Sequence, residues 1–567
     1  MTIRKAIQGA IRELPRVLIN ATSGRLCNKL EQAAAFESLP VFTELISSMT
    51  THIDHARIEQ EVTEYYRYTT FSHNWEGNEP LFEKVVRIVV YDLEEFPTHD
   101  KLQMFCKIVR DAGFHWAWSD TCCINKADHF VLQEALVSMF KWYQGSSLTI
   151  IFLRGIRSPS RRGDLVRSIW NTRAWTLQEY HASKVVRFYT EDWTPYLNLD
   201  IPNHKESPEI ISEMEEATGV SARALMALRP GLDDIREKLC LASTRETTFV
   251  EDAAYSLLGI FSTTLPVVYG EGDQALGRLL AQLLASSGDT SILAWTGRSG
   301  SFNSCLPTDT TVFNQLSISH IPPAIKGAQM DTITTRLQAS SLDFALVMKL
   351  YHRLDELPTP LFAGQRMKLP CITFKLGPLS ASRSRSGYVF RAQTAALRIV
   401  EIRTGEDLSR LDSLYLIHPW IDFLLDRQPI GSVRETIPEE STDDQASLVG
   451  MPSFDGPSGV TPAVPQTRAA RLVARLSWPF SGRPATRNAA SLRPPSSVLP
   501  AHKQLQALQL MVRLRQPFGA LLLTPNLGNV AACRRVAADS LITVQVEEIT
   551  PTILNKLVDS VHMLDVL

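Results

Sequence analysis

Between residues 66 and 189 the chain switches repeatedly between the two-residue period of strands and the 3.6-residue period of helices. This limits its fold more than any other feature. RYTTFS (67–72) and VVRIVVY (85–91) read as strands. From Asp100 to Ala112, Leu102, Phe105, Ile108 and Val109 fall on one helical face, and Gly113 supplies the stop. HWAWSDTC (115–122) reads as a strand. Asp128 caps a helix that turns Leu132, Leu136, Met139, Phe140 and Tyr143 inward. SLTIIFL (147–153) is apolar enough to be a central strand, and a helix over 173–181 leads to the strand VVRFY (185–189). Strands alternating with helices predict an α/β domain wound on parallel strands, with ligands beyond the carboxyl ends of those strands.

The remainder divides by composition. Residues 1–60 form an N-terminal helical extension whose first stretch spaces Ile3, Ile7, Ile11 and Leu14 at helical intervals, with Arg4, Lys5 and Arg12 between them. It reads as a docking helix; the alternative, a mitochondrial transit peptide, has Glu13 and Pro15 against it. Residues 61–300 hold the α/β domain and a helical end that includes 250–261 and 272–288. Residues 301–435 read as a smaller β-rich module, with strands in CITFKLG, GYVFRAQ, ALRIVEI and LYLIHPW. Over 436–502 a Pro/Ser/Arg-rich linker is expected: 436–500 carries ten of the 32 prolines, and six arginines without one acid follow Gln466. Such a stretch buries too little apolar surface to offset its ordering entropy, and limited proteolysis should cut there first. A C-terminal segment, 503–567, regains apolar periodicity.

Charge and cysteine content exclude several classes of function. Lys plus Arg number 58 against 60 Asp plus Glu, so no excess of positive charge points to nucleic acid. The basic fragment TRAARLVARLSW (467–478) reads as a solvated arginine-rich stretch, or else as a contact for an acidic membrane or partner. Eight cysteines without a CxxC pair argue against a disulfide scaffold or zinc ribbon and for a reducing, cytoplasmic compartment. No apolar stretch approaches the roughly 18–20 residues of a transmembrane helix. The P-loop, GxSxG, HExxH and GxGxxG signatures are missing, and His73, His99, His115, His129 and His181 of the α/β region lack metal-ligand spacing, so neither cofactor nor metal is expected. Of the adjacent Cys122 and Cys123, one should be core and the other should line the crevice.

The densest cluster of unusual residues is RAWTLQEYHA (173–182). Trp175 and Glu179 are four apart and share a helical face, and an acid beside a bulky aromatic becomes desolvated and poised for chemistry. The alternative is a core tryptophan and a salt-bridging surface glutamate.

Five blocks in order resemble the fungal heterokaryon incompatibility (HET) domain: FSHNW (71–75), WAWSDTCCINK (116–126), SMFKWYQGSSLTIIFL (138–153), WNTRAWTLQEYHASKVVRFYTEDW (170–193) and the segment 236–279. The chain departs from the family at Ala174, at Tyr180–Ser183 and at Phe249. Residues 1–60, the strand pair before residue 100 and the β-rich module resemble the variant of mushroom-type (basidiomycete) fungi.

The resemblance implies a flavodoxin-like fold similar to Toll/interleukin-1 receptor (TIR) domains, and a role in self/non-self recognition that ends in growth arrest or cell death. TIR domains that cleave NAD carry a catalytic glutamate on a helix, at the spacing Trp175 and Glu179 have here. The implied site is then Glu179 as the catalytic group, with Ser72, His73, Asp120 and Trp175 binding substrate. NAD is the substrate, the partners are further copies on activation and a protein of the incompatibility pathway, and the alternative is a self-association module whose TIR-like domain is inactive.

Overall fold

The computed structural model describes residues 3–48, 54–314, 343–384, 387–394, 396–408, 415–419, 501–515, 517–526 and 529–567. By its contacts the chain divides into two units, 1–424 with 502–567, and 425–501. Every described strand belongs to the first unit. The linker expected over 436–502 and the basic fragment 467–478 lie almost wholly outside the described residues.

Six strands form the first sheet: β1 (Val17–Asn20), β2 (Leu26–Asn28), β3 (Tyr68–Ser72), β4 (Trp116–Ser119), β5 (Leu148–Leu153) and β6 (Val186–Thr190), in the order β2-β1-β4-β3-β5-β6. β4, β3, β5 and β6 are mutually parallel, while β1 runs antiparallel to both β2 and β4. In chain order the parallel strands stand 2-1-3-4, an order of doubly wound sheets, so the crossovers leave β3 in opposite directions. Right-handed crossovers then put the helices on both faces, which is why β3, β4 and β5 are buried along their whole length.

Most of the expected elements form. Helices α1 (Ile3–Glu13), α2 (Lys29–Glu37), α3 (Pro40–Ser48) and α4 (His55–Tyr65) precede β3. α1 buries Ile3, Ile7 and Ile11 as its spacing requires, and the Lys29 ammonium caps it by donating to the carbonyls of Ile11, Arg12 and Leu14. The 1–60 region is nevertheless more than a helical extension, because β1 and β2 add two strands to the sheet.

The expected strand at 85–91 is replaced by a short helix, α5 (Phe82–Val85), and a 3-10 turn at Val90–Asp92. Val85 and Val90 are buried, but Val86 and Ile88 are exposed, so the run is not the inward face of a strand. α6 (Pro97–Asp111) and α7 (His129–Gly145) are the crossovers into β4 and β5, and α7 is capped by Asp128. α8 (Ile169–Thr172) and α9 (Ala174–Ala182) precede β6.

The helical end comprises α10 (Pro208–Thr218), α11 (Ala222–Ala227), α12 (Ile235–Ser243), α13 (Asp252–Tyr255) and α14 (Gln274–Ser287). It packs against the sheet domain closely enough that a methyl group matters. A Cβ built on Gly259 would stand 2.2 Å from Phe140 Cβ on α7. Gly259→Ala is therefore expected to cost about 1–3 kcal/mol or more, read as a lowered thermal midpoint of the full chain. An unchanged midpoint would mean this contact yields freely.

The later strands and the C-terminal segment build one structure. β8 (Arg366–Lys375) pairs with β7 (Leu361–Ala363), β12 (Tyr415–Pro419) and β16 (Val561–Val566). β12 pairs with β13 (Phe518–Asn526), β13 with β14 (Asn529–Arg535) and with the short β15 (Ile542–Val544), and β14 with β16. These pairings close on themselves through β8-β12-β13-β14-β16, a five-stranded barrel. β9 (Ser380–Ser384), β10 (Gly387–Ala392) and β11 (Val400–Thr404) form a separate antiparallel sheet. The β-rich module and the C-terminal segment are thus halves of one barrel.

Candidate functional site

The register Phe71↔Ser119 between β3 and β4 brings the next residues, Ser72 and Asp120, side by side at the carboxyl ends of parallel strands. α9 crosses this edge, held by hydroxyl groups on otherwise apolar strands. Thr70 Oγ1 lies 2.7 Å from Thr149 Oγ1, which lies 2.6 Å from Ser183 Oγ, and Ser183 donates to the carbonyl of Glu179 at 2.6 Å. A second anchor is backbone: Ala174 N donates to Glu246 O at 3.0 Å, so the start of α9 is tied to the helical end.

Glu179 is thereby turned into the domain. Its side chain is buried, 6% exposed, and its Oε2 accepts a hydrogen bond from Ser72 Oγ. Ser72 Oγ in turn accepts from Trp170 Nε1 at 2.7 Å, and the Tyr143 hydroxyl hydrogen-bonds the Glu179 carboxyl while donating to the Phe71 carbonyl at 3.0 Å. Burial pushes Glu179 up to about 8, and the Asp120 charge adds to this; Ser72, Arg173 and Tyr143 pull the other way. A carboxyl in this state can hold a proton near neutral pH and release it to solvent when a positive charge comes near.

The segment after β3 covers the strand ends through buried charge. Lys101 of α6 donates to Glu79 Oε1 at 2.6 Å, Glu76 Oε1 at 3.3 Å and the Asn74 carbonyl at 3.1 Å. His73, ring-stacked on Phe71, stands 3.6 Å from Glu79 Oε2, beyond hydrogen-bond length, and burial holds it neutral by lowering its pKa. Glu79 is pulled down: burial opposes ionisation, but the Lys101 ammonium and its hydrogen bond outweigh it. Trp75 donates its indole N–H to Asp120 Oδ2 at 3.1 Å, and the Lys126 ammonium sits 3.3 Å from the Trp75 ring centroid. The arrangement is that of a cap fastened over an acidic crevice.

Of the five residues singled out in the sequence, Ser72, Asp120 and Glu179 converge, and His73 lies next to them within the cap network. Trp175 is bonded elsewhere: its indole hydrogen-bonds Asp252 of α13, which also accepts from Tyr269 at 2.9 Å. The indole that joins Glu179's hydrogen-bond network is that of Trp170, 1% exposed and on α8. The i, i+4 rule picked out Trp175. Extended backbone at Arg173 (φ −80°, ψ 137°) breaks the helix before it, and this lets Trp170 turn back onto Ser72.

Tyr143 and Arg245 were also missed. Tyr143 showed only as an apolar-face residue. Arg245 is buried, donates to Thr176 Oγ1 at 3.1 Å and to the Arg173 carbonyl at 3.3 Å, and feels the Glu179 charge.

Cys122 and Cys123 are both buried; Cys123 lines an open cavity of about 380 Å³ beside Arg16, Asn28, Phe82 and Asn125. Burial pushes the Cys123 thiol well up, so it is no nucleophile at neutral pH. Among the described residues no three His, Cys, Asp or Glu side chains are grouped to hold a metal ion, and no helix is long and apolar enough to cross a membrane.

The fold and site define a parallel α/β domain with a buried carboxyl at its strand ends, closed by a helical end. Residues 68–164 match the family described as "Heterokaryon incompatibility protein (HET)". The vegetative incompatibility protein HET-E-1 of Podospora anserina is 32% identical over 227 residues, which cover 37% of this chain. The chain thus contains a region that matches the HET family. The matched part spans only 16% of the length of that relative. No solved structure matches the chain significantly.

Proposed function

We propose that this protein is a cytoplasmic effector of fungal heterokaryon incompatibility, in which recognition of a non-self partner ends in growth arrest or death, and that it acts by TIR-like cleavage of the nicotinamide–ribose bond of NAD. The observation that carries the reading is the placement of Glu179: a buried carboxyl at the carboxyl end of β3, beside Asp120, in a sheet whose parallel strands run 2-1-3-4. Such edges are where α/β sheets hold ligands.

Breaking an N-glycosidic bond passes through an oxocarbenium-like state that a nearby carboxylate stabilises. The nicotinamide ring of NAD is itself cationic. Its approach would favour ionisation of Glu179, so the stabilising charge appears when the substrate does. Ser72 would hold that carboxylate in place, with Asp120 adding negative charge behind it. Cleavage requires the cap over 73–81 to open, and clustering of several copies is the natural trigger for that change.

The test is NAD consumption by the purified full chain, fused to an oligomerising partner to force clustering. The native chain should consume NAD and arrest growth on overexpression, and Glu179→Gln should do neither. A Gln variant that remains equally toxic would remove the enzymatic reading.

A second reading, a non-enzymatic self-association module, draws support from one surface. Phe249, Val250, Val268 and Tyr269 are 57%, 58%, 49% and 41% exposed, and the Phe249 and Tyr269 rings meet at 5.5 Å. Toxicity that survives Glu179→Gln but falls with Phe249→Asp would favour it.

A further inference from the structure

Every proton of the Lys101 ammonium goes to the cap. An ammonium has three to give. They are donated to the Asn74 carbonyl, Glu76 Oε1 and Glu79 Oε1, at 3.1, 3.3 and 2.6 Å. Lys101 is buried, 3% exposed, and neither its own helix nor the sheet supplies it with a described acceptor. Arg154, the residue after β5, stands beside the same segment, with Nε 3.3 Å from Glu76 Oε2. The two acids are held close to one another, because Glu76 N donates to Glu79 Oε1 at 3.1 Å.

These carboxylates leave the groups around them unsatisfied. Neither ring nitrogen of the buried His73 has a described hydrogen-bond partner, and Nε2 stops 3.6 Å from Glu79 Oε2. The Lys126 ammonium is buried against the Trp75 ring without a described acceptor, in the field of Asp120 and Glu79. A cap that lifts takes both acids and the Trp75 ring away, and buried positive charge is costly unless another anion replaces them. The anion that fits has two adjacent negative groups, with oxygens in more directions than two planar carboxylates can offer. Adjacent phosphoryl groups have both properties. Position narrows the choice further. Asn74 is two residues from Ser72, whose hydroxyl bonds Glu179, so at most about 7 Å of chain, roughly the span of one ribose, separates them.

We infer that the cap is an internal stand-in for a diphosphate. Glu76 and Glu79 fill an anion subsite made by Lys101, Arg154, His73 and Lys126, and the diphosphate of a dinucleotide takes their place when the cap lifts. Opening and binding are then one equilibrium, because the cations need an anion in either state. The inference deepens the proposed function and rests on it for the sugar beside Glu179; the anion subsite itself does not.

Calorimetric titration of the full chain with ADP-ribose, inorganic pyrophosphate and AMP reads the subsite without any catalysis. Glu76→Gln with Glu79→Gln keeps the shape of the cap and removes the charge that competes. ADP-ribose and pyrophosphate should then bind on the order of ten- to a hundredfold tighter than to the native chain. AMP, with one phosphoryl group, should gain much less. In the same background, where neither acid is left unpaired, Arg154→Gln should remove part of the gain and Lys101→Gln most of it.

An unchanged affinity in a double variant that still melts cooperatively would mean that the acids only fasten the cap. A gain that survives Lys101→Gln would place the diphosphate elsewhere, an equal gain for AMP would make the subsite one for a single phosphate, and a gain for pyrophosphate alone would exclude the dinucleotide. Each of these overturns the inference. Should the double variant fail to fold, hydrogen exchange of the native chain decides: amides of 73–81 should exchange faster at saturating ADP-ribose, and unchanged or slower exchange rejects displacement of the cap. Tighter ADP-ribose binding with no NAD cleavage rejects the proposed function and keeps the subsite; cleavage without the gain does the reverse.

Discussion

Glu179→Gln is expected to cross the native protein in stability as pH rises, and to be inactive on both sides of the crossing. The folded carboxyl titrates near 8, against an ordinary value of 4.5. Between those values the folded state keeps a proton that the unfolded state has given up, so native stability falls as pH climbs through this window. It is unaffected below the window and constant above it. At about 1.36 kcal/mol per pH unit the loss reaches roughly 3 kcal/mol at pH 7 and levels off near 5 kcal/mol.

Glutamine does not titrate. Its carbonyl can accept from Ser72 and one N–H can donate to Tyr143, but the other N–H has no described partner, at a cost of about 1–3 kcal/mol. The variant should therefore be the less stable protein at about pH 5 and the more stable one above about pH 7, as thermal melts across that range would read. Under the proposed chemistry, loss of one preorganised charged group lowers the rate on the order of a hundredfold to a thousandfold at every pH. Parallel melting curves would mean that Glu179 is ionised in the folded protein.

The second large effect is expected at Arg535 of β14, which joins the barrel to the helical end. Its guanidinium donates to the carbonyls of Leu293 at 2.9 Å, Trp295 at 2.6 Å and Cys305 at 3.5 Å, and lies 3.7 Å from the centroid of the Trp295 ring. The side chain is buried, and burial lowers its pKa to about 10, so it stays charged at neutral pH. Arg535→Ala strands the buried Trp295 carbonyl, leaves the carbonyls of Leu293 and Cys305 only their bonds from Trp295 N and Nε1, and opens a void against Trp295. The expected cost is about 3–5 kcal/mol, seen in urea as an early transition of the contact between barrel and helical end. Arg535→Lys keeps the charge but cannot fork between carbonyls or cover the ring, and should recover only part of the loss. A cost below about 1 kcal/mol for the alanine variant would mean water replaces these bonds.

The sheet domain was legible because its signals are local. Leu148–Leu153 is apolar but for Thr149, and Asp128 stands where a cap is needed. Residues 85–91 misled because β-branched residues favour strands only where a neighbouring strand receives them; here Val90 N donates to the Gly24 carbonyl at 2.8 Å and its own carbonyl accepts from Leu93 N and Gln103 Nε2, with no ladder. The strands β1 and β2 were too short, at four and three residues, to show a period.

In the site, Glu179, Ser72 and Asp120 could be located because strand ends and helix faces follow from spacing. Trp170 could not, since its direction depends on a break in the helix at Arg173. Arg535 was illegible for a different reason: it is 240 residues from Trp295, and no local pattern records such a partner.

Closure of the barrel has a consequence for synthesis of the chain. β8 and β12 leave the ribosome long before β13, β14 and β16, so their open edges must wait for partners. The helical end waits too, because the carbonyl of Trp295 has no other described donor until Arg535 arrives. A nascent chain therefore completes its helical end only when β14 has joined the barrel, and a product truncated before β13 leaves the Trp295 carbonyl without Arg535. For a protein proposed to stop growth when it is assembled, the order of translation delays completion of the helical end until nearly all of this sequence has been made.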